Sequence, residues 1–575
     1  MNEISPKLSF KEASDIILFQ EGTPRFYFFF VKVFNSLFGY SVYNARLVSV
    51  LFGLLSVIFI NKLGKKLFNP NVGLFSSVFL AFNLFLIDYS QEARTYSMLV
   101  FFVILGFYYM ISFINERNYK NAILLGVSVG LITNAHPFGL INVATIYLIL
   151  LYVLFTEKES KVDLFKKIFL SGLVFILIFI PVIPTILRVS EFTSFWIIKP
   201  NPTYLFQIFN QLLGSSLIFT FLFIAIYFVF VFKSIQLITK KEQKEKNKHL
   251  LGFIIINSWI WFEVAVILIK SYFGISIALS RYFIAIVPAF ILIVAVSIDF
   301  IKNNLLKQFI VLALVTYLAS DIFLVKDFYS IPKKSQFDSV TNFIIKNNTD
   351  NNKVVSSLGW LLGYYINNDN QGQTVTEMNL EDYVTAVKNN AVKTETFWYM
   401  DGNSKPFTLS ADNEAFLKQN FKLVYRVDRF DAWARCYAPI KNNKKENQSS
   451  IINFYNNDFT PLFLDGNGNL MIFENSEVTS SSFDLDKGKY ILTLLANSLP
   501  SKPIDNENAH IKIKINQEEI GNVFLSENIN NKTIKIPFNS DNKRRAKICL
   551  IFDNDVSKNG LDRNVVIYSI KIEKK

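Results

Sequence analysis

Two cysteines in 575 residues, Cys436 and Cys549, exclude a disulfide framework, and their separation fits no metal or redox spacing. Charge is also short. Only 18% of the residues are charged, against about 25% in soluble domains, and this argues against a soluble enzyme. Neither a collagen-like glycine repeat nor the polar bias of a disordered chain is present. What is abundant is apolar and aromatic: 51% hydrophobic residues, 16% aromatics, 59 phenylalanines and a mean hydropathy of +0.30. Such a chain needs lipid or an unusually large core. Its length implies two to four domains. The net charge of +13 could point to nucleic acid, but in a membrane protein lysines mainly fix topology, so no nucleic-acid partner is expected.

The apolar mass is concentrated between about Arg25 and Val325. A bilayer core of about 30 Å needs about 20 apolar residues per helix. About ten stretches meet this: 45–63, 72–88, 96–114, 121–134, 138–155, 166–187, 208–233, 250–270, 281–299 and 306–325, the fourth being short. Lysines and arginines mark alternate connections. Lys62, Lys65 and Lys66 begin the series, followed by Arg117 and Lys120, then Lys158 to Lys167, Lys233 to Lys248, and Lys302 with Lys307. The positive-inside rule makes these loops cytoplasmic. The opposite loops, and everything after Val325, are then extracytoplasmic. This describes a multi-pass protein of the plasma (cytoplasmic) membrane. It leaves residues 1–40 outside with no hydrophobic helix before them, so an upstream helix is expected.

The outer loops carry the polar groups. Ser90-Gln91-Glu92-Ala93-Arg94-Thr95-Tyr96 sets a carboxylate and a guanidinium two residues apart at a helix junction. Ionisable groups at membrane depth cost about 2.5–3.5 kcal/mol on insertion scales, so they need a reason. An interfacial ion pair is one. His136 lies between two apolar stretches, and a structural hydrogen bond would explain it as well as chemistry would. Arg281-Tyr282 opens a late helix. It reads either as a snorkelling arginine with an aromatic anchor or as a phosphate clamp, since a guanidinium fork matches phosphate oxygens.

Several of these pieces together resemble the GT-C class of polyprenyl-phosphate-sugar-dependent glycosyltransferases, in the protein O-mannosyltransferase-like branch. They are Thr23-Pro24-Arg25-Phe26-Tyr27, Phe38-Gly39, Ala45 to Leu54, and Asp88 to Tyr96 with its Ser-Gln-Glu-Ala-Arg-x-Tyr pattern. Asn134-Ala135-His136-Pro137-Phe138-Gly139 and Ser280-Arg281-Tyr282-Phe283 with Pro288 extend the match over about residues 20–330. The resemblance implies a lipid-linked sugar donor at the outer leaflet and an acceptor hydroxyl or amine that attacks the anomeric carbon. It assigns Arg281 and Tyr282 to the lipid phosphate. Glu92, Arg94 and His136 fall to the reaction centre, where a divalent cation is a candidate cofactor. Trp196, in the outer loop Val189 to Tyr204, is a candidate cover for the donor sugar, or an interfacial belt residue. The family usually places an aspartate base in an Asp-Glu pair after its first membrane helix. Here only Glu3, Glu12, Asp15 and Glu21 stand in that loop, and Arg25 replaces a usual proline.

Beyond the membrane domain (41–330), residues 335–442 alternate strands and helices: Val354 to Ser357, Trp360 to Ile366, Leu380 to Lys388, Thr396 to Tyr399, Ala411 to Gln419, Phe421 to Val427. That order predicts a small α/β domain. A linker, 443–453, leads to residues 454–575. There, Tyr490 to Ala496, Ile511 to Ile515, Ile534 to Ile536, Ala546 to Phe552 and Val565 to Ile572 predict a β-sandwich. Its Phe552-Asp553-Asn554-Asp555 and Gly560-Leu561-Asp562-Arg563-Asn564-Val565 segments resemble calcium-dependent xylan-binding-type carbohydrate modules. The resemblance implies Ca2+ held by Asp555 and Asp562, with Asn554 and Asn564. Oxygen donors on adjacent loops suit such a hard cation. A hydrogen-bonded polar turn would use the same residues.

Two functions follow. One is a membrane glycosyltransferase moving a sugar from a polyprenyl-phosphate donor to an extracytoplasmic protein, lipid or cell-envelope glycan. The alternative is a non-catalytic membrane protein, either a lipid-linked-sugar transporter or a scaffold displaying a glycan-binding domain. A transporter should carry charged or broken helices near mid-bilayer, and Glu263 is the only clear mid-helix carboxylate.

Overall fold

In the computed structural model the chain forms two compact units, Met1–Ile331 and Pro332–Lys575. The structure describes residues 8–18, 22–191, 197–240, 243–367, 375–403, 409–440, 451–454, 458–460, 469–499, 503–525, 533–558 and 561–575.

The first unit is helical. Two short helices, α1 (Phe10–Ile16) and α2 (Phe26–Phe38), precede α3 (Val42–Leu67), α4 (Pro70–Ala81), α5 (Leu84–Ser90), α6 (Tyr96–Glu116), α7 (Tyr119–Ala135) and α8 (Gly139–Thr156). There follow α9 (Lys161–Phe179), α10 (Ile183–Ser190), α11 (Tyr204–Leu212), α12 (Leu217–Lys240), α13 (Gln243–Phe273), α14 (Val287–Asp299) and α15 (Asn304–Ser320). Among the described residues eight helices are long and apolar enough to cross a membrane, or nine if the bent pair α4–α5 is one span. This is a multi-pass membrane unit, one or two spans fewer than the ten stretches expected. α7 has 17 residues, about 26 Å at the usual rise, and so falls short of the bilayer core. The stretch 72–88 is broken instead of continuous. Asn83 accepts the Leu86 N–H at 3.0 Å and restarts the helix as α5, bent by 62° from α4.

Caps and small residues set the packing. Asn69 and Asn118 cap α4 and α7 in the same way. On α7, Gly126 and Gly130 face α9 so closely that a Cβ would stand 2.5 Å from the Ser171 carbonyl oxygen and 2.6 Å from Ile178 Cγ2. This is the small-residue spacing that lets membrane helices touch. Asn134 extends the seam, donating to the Ile178 carbonyl at 2.9 Å. The end of α7, where His136 follows, is thereby fixed.

In the second unit a five-stranded mixed sheet has the order β2-β1-β3-β5-β4, from β1 (Lys353–Ser356), β2 (Val375–Glu377), β3 (Phe397–Gly402), β4 (Phe421–Arg429) and β5 (Ala432–Pro439). The helices Phe337–Asn347, Gly359–Asn367, Leu380–Lys388 and Ala411–Asn420 alternate with these strands along the chain. Two further five-stranded sheets follow. One is built on Gly488–Leu499 and Asn564–Lys574, the other on His510–Ile515 and Ile548–Phe552. Leu492, Leu494, Ile511, Ile513, Leu550, Phe552 and Ile572 fill the shared core, which makes this part a sandwich.

Candidate active site

The helical unit gathers five of the expected site residues at one end. Gln91 to Thr95, between α5 and α6, is a tight turn in which the Arg94 N–H reaches the Glu92 carbonyl at 2.8 Å. Its backbone is held from beneath. Tyr27 of α2 lies 2.7 Å from Ser49 Oγ on α3, and Ser49 Oγ donates to the Arg94 carbonyl at 3.2 Å. Tyr27 therefore donates to Ser49, and two buried hydroxyls tie three elements together. The Glu92 carboxylate interacts electrostatically with Tyr27, Tyr89 and Tyr96.

An aromatic cluster forms the floor. His136 is buried, at 4% exposure, with ring centroids 5.7 Å from Tyr96, 5.4 Å from Phe138 and 5.6 Å from Tyr282. Phe138 and Tyr282 stack at 4.4 Å. His136 Nδ1 accepts the Phe138 N–H at 3.2 Å, so any ring proton of the neutral imidazole sits on Nε2.

Arg281 lies over the Tyr282 ring at 5.6 Å and within electrostatic range of Tyr89, Tyr96 and His136. It opens the tight helical turn Ser280–Ile286. Trp259 of α13 anchors that turn, donating from Nε1 to the Ala285 carbonyl at 2.9 Å while stacking on Phe107 at 3.9 Å. Arg281 Nε is buried with no hydrogen-bond partner. An orphaned guanidinium N–H beside a polar mouth is suited to an anionic oxygen.

Other expected residues lie elsewhere. Trp196 falls outside the described residues, as do Glu3 and Glu21. Glu12 is occupied by the capping box of α1, accepting from Ser9 N at 2.8 Å and Ser9 Oγ at 2.7 Å. Glu263 is buried against Asn142, which donates to it at 2.9 Å. Sequence reasoning passed over Tyr27, Ser49, Tyr89 and Phe138 as site residues. All four lay inside matched motifs, but nothing in those motifs told which way they face.

Asp555, Asp562, Asn554 and Asn564 belong to the sandwich. Asp555 Oδ1 and Asn564 Oδ1 are buried without partners. Asn564 Nδ2 donates to Asp562 Oδ2 at 3.1 Å. Burial first, then the Asp562 carboxylate, raises the Asp555 carboxyl above its ordinary value. Asn554 is engaged differently: it accepts the His510 N–H at 2.8 Å and donates to the Asn508 carbonyl at 2.9 Å. Arg563, 4% exposed, donates to the Asn554 carbonyl at 2.5 Å and to the Ile504 carbonyl. Among the described residues no group of three or more His, Cys, Asp or Glu side chains converges as a metal site.

Residues 23–184 match the dolichyl-phosphate-mannose-protein mannosyltransferase family. The matched segment holds Tyr27, Ser49, Glu92, Arg94 and His136, while Arg281 lies beyond it. No curated protein matches the chain. Among solved structures, ArnT from Cupriavidus metallidurans bound to undecaprenyl phosphate is 15% identical, covering 72% of this chain and 88% of its own, with a TM-score of 0.46. The oligosaccharyltransferase of Archaeoglobus fulgidus is 9% identical, covering 96% of this chain and 90% of its own, with a TM-score of 0.44.

Proposed function

We propose that the helical unit is a GT-C-type glycosyltransferase that moves a sugar from a polyprenyl-phosphate donor to an acceptor on the outer side of the plasma membrane. The observation that carries this reading is the mouth at residues 91–95. There, inside the segment that matches the mannosyltransferase family, Glu92 and Arg94 lie within electrostatic range of Tyr96, whose ring neighbours His136 in an aromatic cluster that also carries Arg281. The acceptor is an extracytoplasmic protein, lipid or envelope glycan.

In the reaction, the acceptor oxygen or nitrogen forms a bond to the anomeric carbon. The bond from that carbon to the phosphate oxygen breaks, and its electron pair leaves on the polyprenyl phosphate. Arg281, with its open Nε–H, stabilises the charge that develops on the phosphate. Arg94, exposed on the turn, takes a second phosphate oxygen or orders the turn. Glu92 receives the acceptor proton or orients the acceptor. His136 and Tyr282 wall the cavity and exclude water from the reacting pair. A divalent cation at this mouth would share the phosphate charge with the two arginines, and Glu92 would be its protein ligand.

In the sandwich, Asp555, Asp562 and Asn564 are proposed as Ca2+ ligands, with glycan contact as the purpose. The unpartnered Asp555 Oδ1 and Asn564 Oδ1 support this, because buried acceptor oxygens without donors are what a hard cation satisfies.

The test is turnover. The purified full chain in nanodiscs is given labelled polyprenyl-phosphate sugars, and release of polyprenyl phosphate is followed. Release that disappears with Arg281→Ala is expected. No release from any donor across several sugars and chain types, with Ca2+-dependent polysaccharide binding intact, would turn the reading to the scaffold.

A further inference from the structure

We propose that Glu263 is a neutral carboxylic acid joined to the Asn142 amide by two hydrogen bonds, and that this pair positions Arg281 and Tyr282 against His136. The positioning role rests on the transferase reading above. The acid–amide pair stands without it.

Glu263 is the mid-helix carboxyl of α13 that the reaction leaves unused. It is 1% exposed, as is Asn142 of α8. Trp259, Ile260 and Ile267 share its helix face, Ile146 shares that of Asn142, and all four are buried. Asn142 Nδ2 donates to Glu263 Oε2 at 2.9 Å. Each side chain then keeps one oxygen without a partner, Glu263 Oε1 and Asn142 Oδ1. A carboxylate ion answered by one amide in such surroundings is strongly unfavourable, and two acceptor oxygens cannot satisfy each other. One hydrogen on Oε1 removes both faults. The acid donates to Asn142 Oδ1 while its Oε2 accepts from Nδ2, which closes a ring of two bonds. The terminal torsions of both side chains are soft, so the contact already made keeps the second within reach.

The pair also closes a frame around the mouth. On α13, Trp259 lies one turn before Glu263 and donates to the Ala285 carbonyl in the turn that Arg281 opens. On α8, Asn142 lies one turn after Phe138, which stacks on Tyr282 at 4.4 Å. A circuit therefore runs from Glu263 to Asn142, along α8 to Phe138, across to Tyr282, along the turn to Ala285, and back through Trp259. Helices in lipid gain no hydrophobic free energy by touching one another, so apolar faces alone leave their register soft. A directional two-bond pair does not. It locks α8 to α13, and with them the two sides of the Phe138–Tyr282 stack beside which His136 and Arg281 stand.

Two measurements on the full chain in nanodiscs test this. Infrared difference spectra of wild type minus Glu263→Gln, at neutral pH, need no turnover and so separate this proposal from failure of the transferase reading. A carbonyl band of a protonated acid is expected in wild type, displaced in Asn142→Leu. Its absence would show an ionised Glu263 and overturn the proposal. The second measurement is turnover of a polyprenyl-phosphate sugar. Glu263→Gln rebuilds a two-bond pair, amide to amide, and should keep kcat within about twofold of wild type. Glu263→Leu should lower kcat about tenfold or more with KM little changed. Asn142→Leu should do the same, and the double replacement should cost no more than either. Glutamine as slow as leucine would mean that the proton or charge of Glu263 acts in its own right, as on an ion path. Leucine as fast as wild type would mean that the pair positions nothing. Either result refutes the positioning role, which also falls if no donor is turned over, while the infrared band still decides the acid.

Discussion

The mouth of the helical unit and the loop end of the β-sandwich both collect polar groups, but against opposite backgrounds. Around the mouth nearly every neighbour is apolar: His136 is enclosed by Tyr96, Phe138 and Tyr282, and Arg281 leaves an N–H unanswered. In the sandwich, polar side chains answer one another. His510 Nδ1 meets Asp553 at 2.5 Å, Lys512 meets the same carboxylate at 2.7 Å, and the two terminal nitrogens of Arg563 donate to backbone carbonyls. The unanswered atoms there are mostly acceptors, Asp555 Oδ1, Asn564 Oδ1 and Asn508 Oδ1, beside one donor, Arg563 Nε. One region thus presents a spare donor and the other mainly spare acceptors. An anion suits the first and a cation the second, so the same kind of observation points to ligands of opposite charge.

Arg281 is where this contrast breaks most visibly. Arg281→Ala is expected to lower turnover of a polyprenyl-phosphate sugar by about 100- to 1000-fold, the usual effect of losing one preorganised donor at developing charge. Arg281→Lys should recover little, because an ammonium restores the charge but not the planar fork. Full recovery by lysine would mean that the orphaned Nε–H has no role. Glu92→Gln comes next, with a loss of about 100-fold or more in kcat. A kcat retained in Glu92→Gln would assign the acceptor proton to another group.

The contrast also explains what could be read from the chain. A bilayer demands long apolar runs, so most spans were legible, as were the period-two strands such as Ile511 to Ile515. The α4–α5 break was not, because Leu80 to Ile87 is apolar except for Asn83, and the capping geometry of that one residue decides. The edge strand Glu518–Phe524 carries polar residues on an exposed ladder and has no apolar alternation to detect. Motifs brought Glu92, Arg94, His136 and Arg281 to notice. Their assembly over stacked Phe138 and Tyr282 joins residues 144 positions apart, and no local pattern encodes that. Cys436, whose separation from Cys549 fits no metal or redox spacing, is buried in the α/β core with its thiol pushed up to about 12 by burial.

A smaller effect tests how the mouth is held. Tyr27→Phe and Ser49→Ala each remove one hydroxyl of the relay to the Arg94 carbonyl, worth about 1 kcal/mol, and should lower kcat by about fivefold with KM for the donor little changed. If the relay acts by placing the Arg94 turn, the losses will not add. In an Arg94→Ala background either change should have almost no further effect, and Ser49→Thr, which keeps a hydroxyl, should restore activity to Ser49→Ala. Additive losses would make the two residues general packing groups instead.

The smallest effect lies in the sandwich, and its sign follows from Asp555. Burial and the Asp562 carboxylate hold the Asp555 carboxyl above its ordinary value, so the folded protein keeps that proton to higher pH than the unfolded chain does. Without metal, stability is therefore greatest where Asp555 is protonated and falls as pH rises from the ordinary carboxylate range through the raised value. Ca2+ binds the ionised form, so it should oppose that fall and raise the unfolding temperature of the strand-rich unit by a few degrees at neutral pH, more as its concentration increases. Asp555→Asn removes the titrating group and a ligand charge together. It should flatten the pH dependence in the absence of metal and abolish the Ca2+ shift, both readable in thermal scans of the full chain. If the shift persists in Asp555→Asn, the cation is held elsewhere. If the pH dependence is lost but wild type shows no Ca2+ shift, the two unanswered oxygens belong to a strained turn, and the opposition between a donor-rich mouth and an acceptor-rich loop end no longer holds.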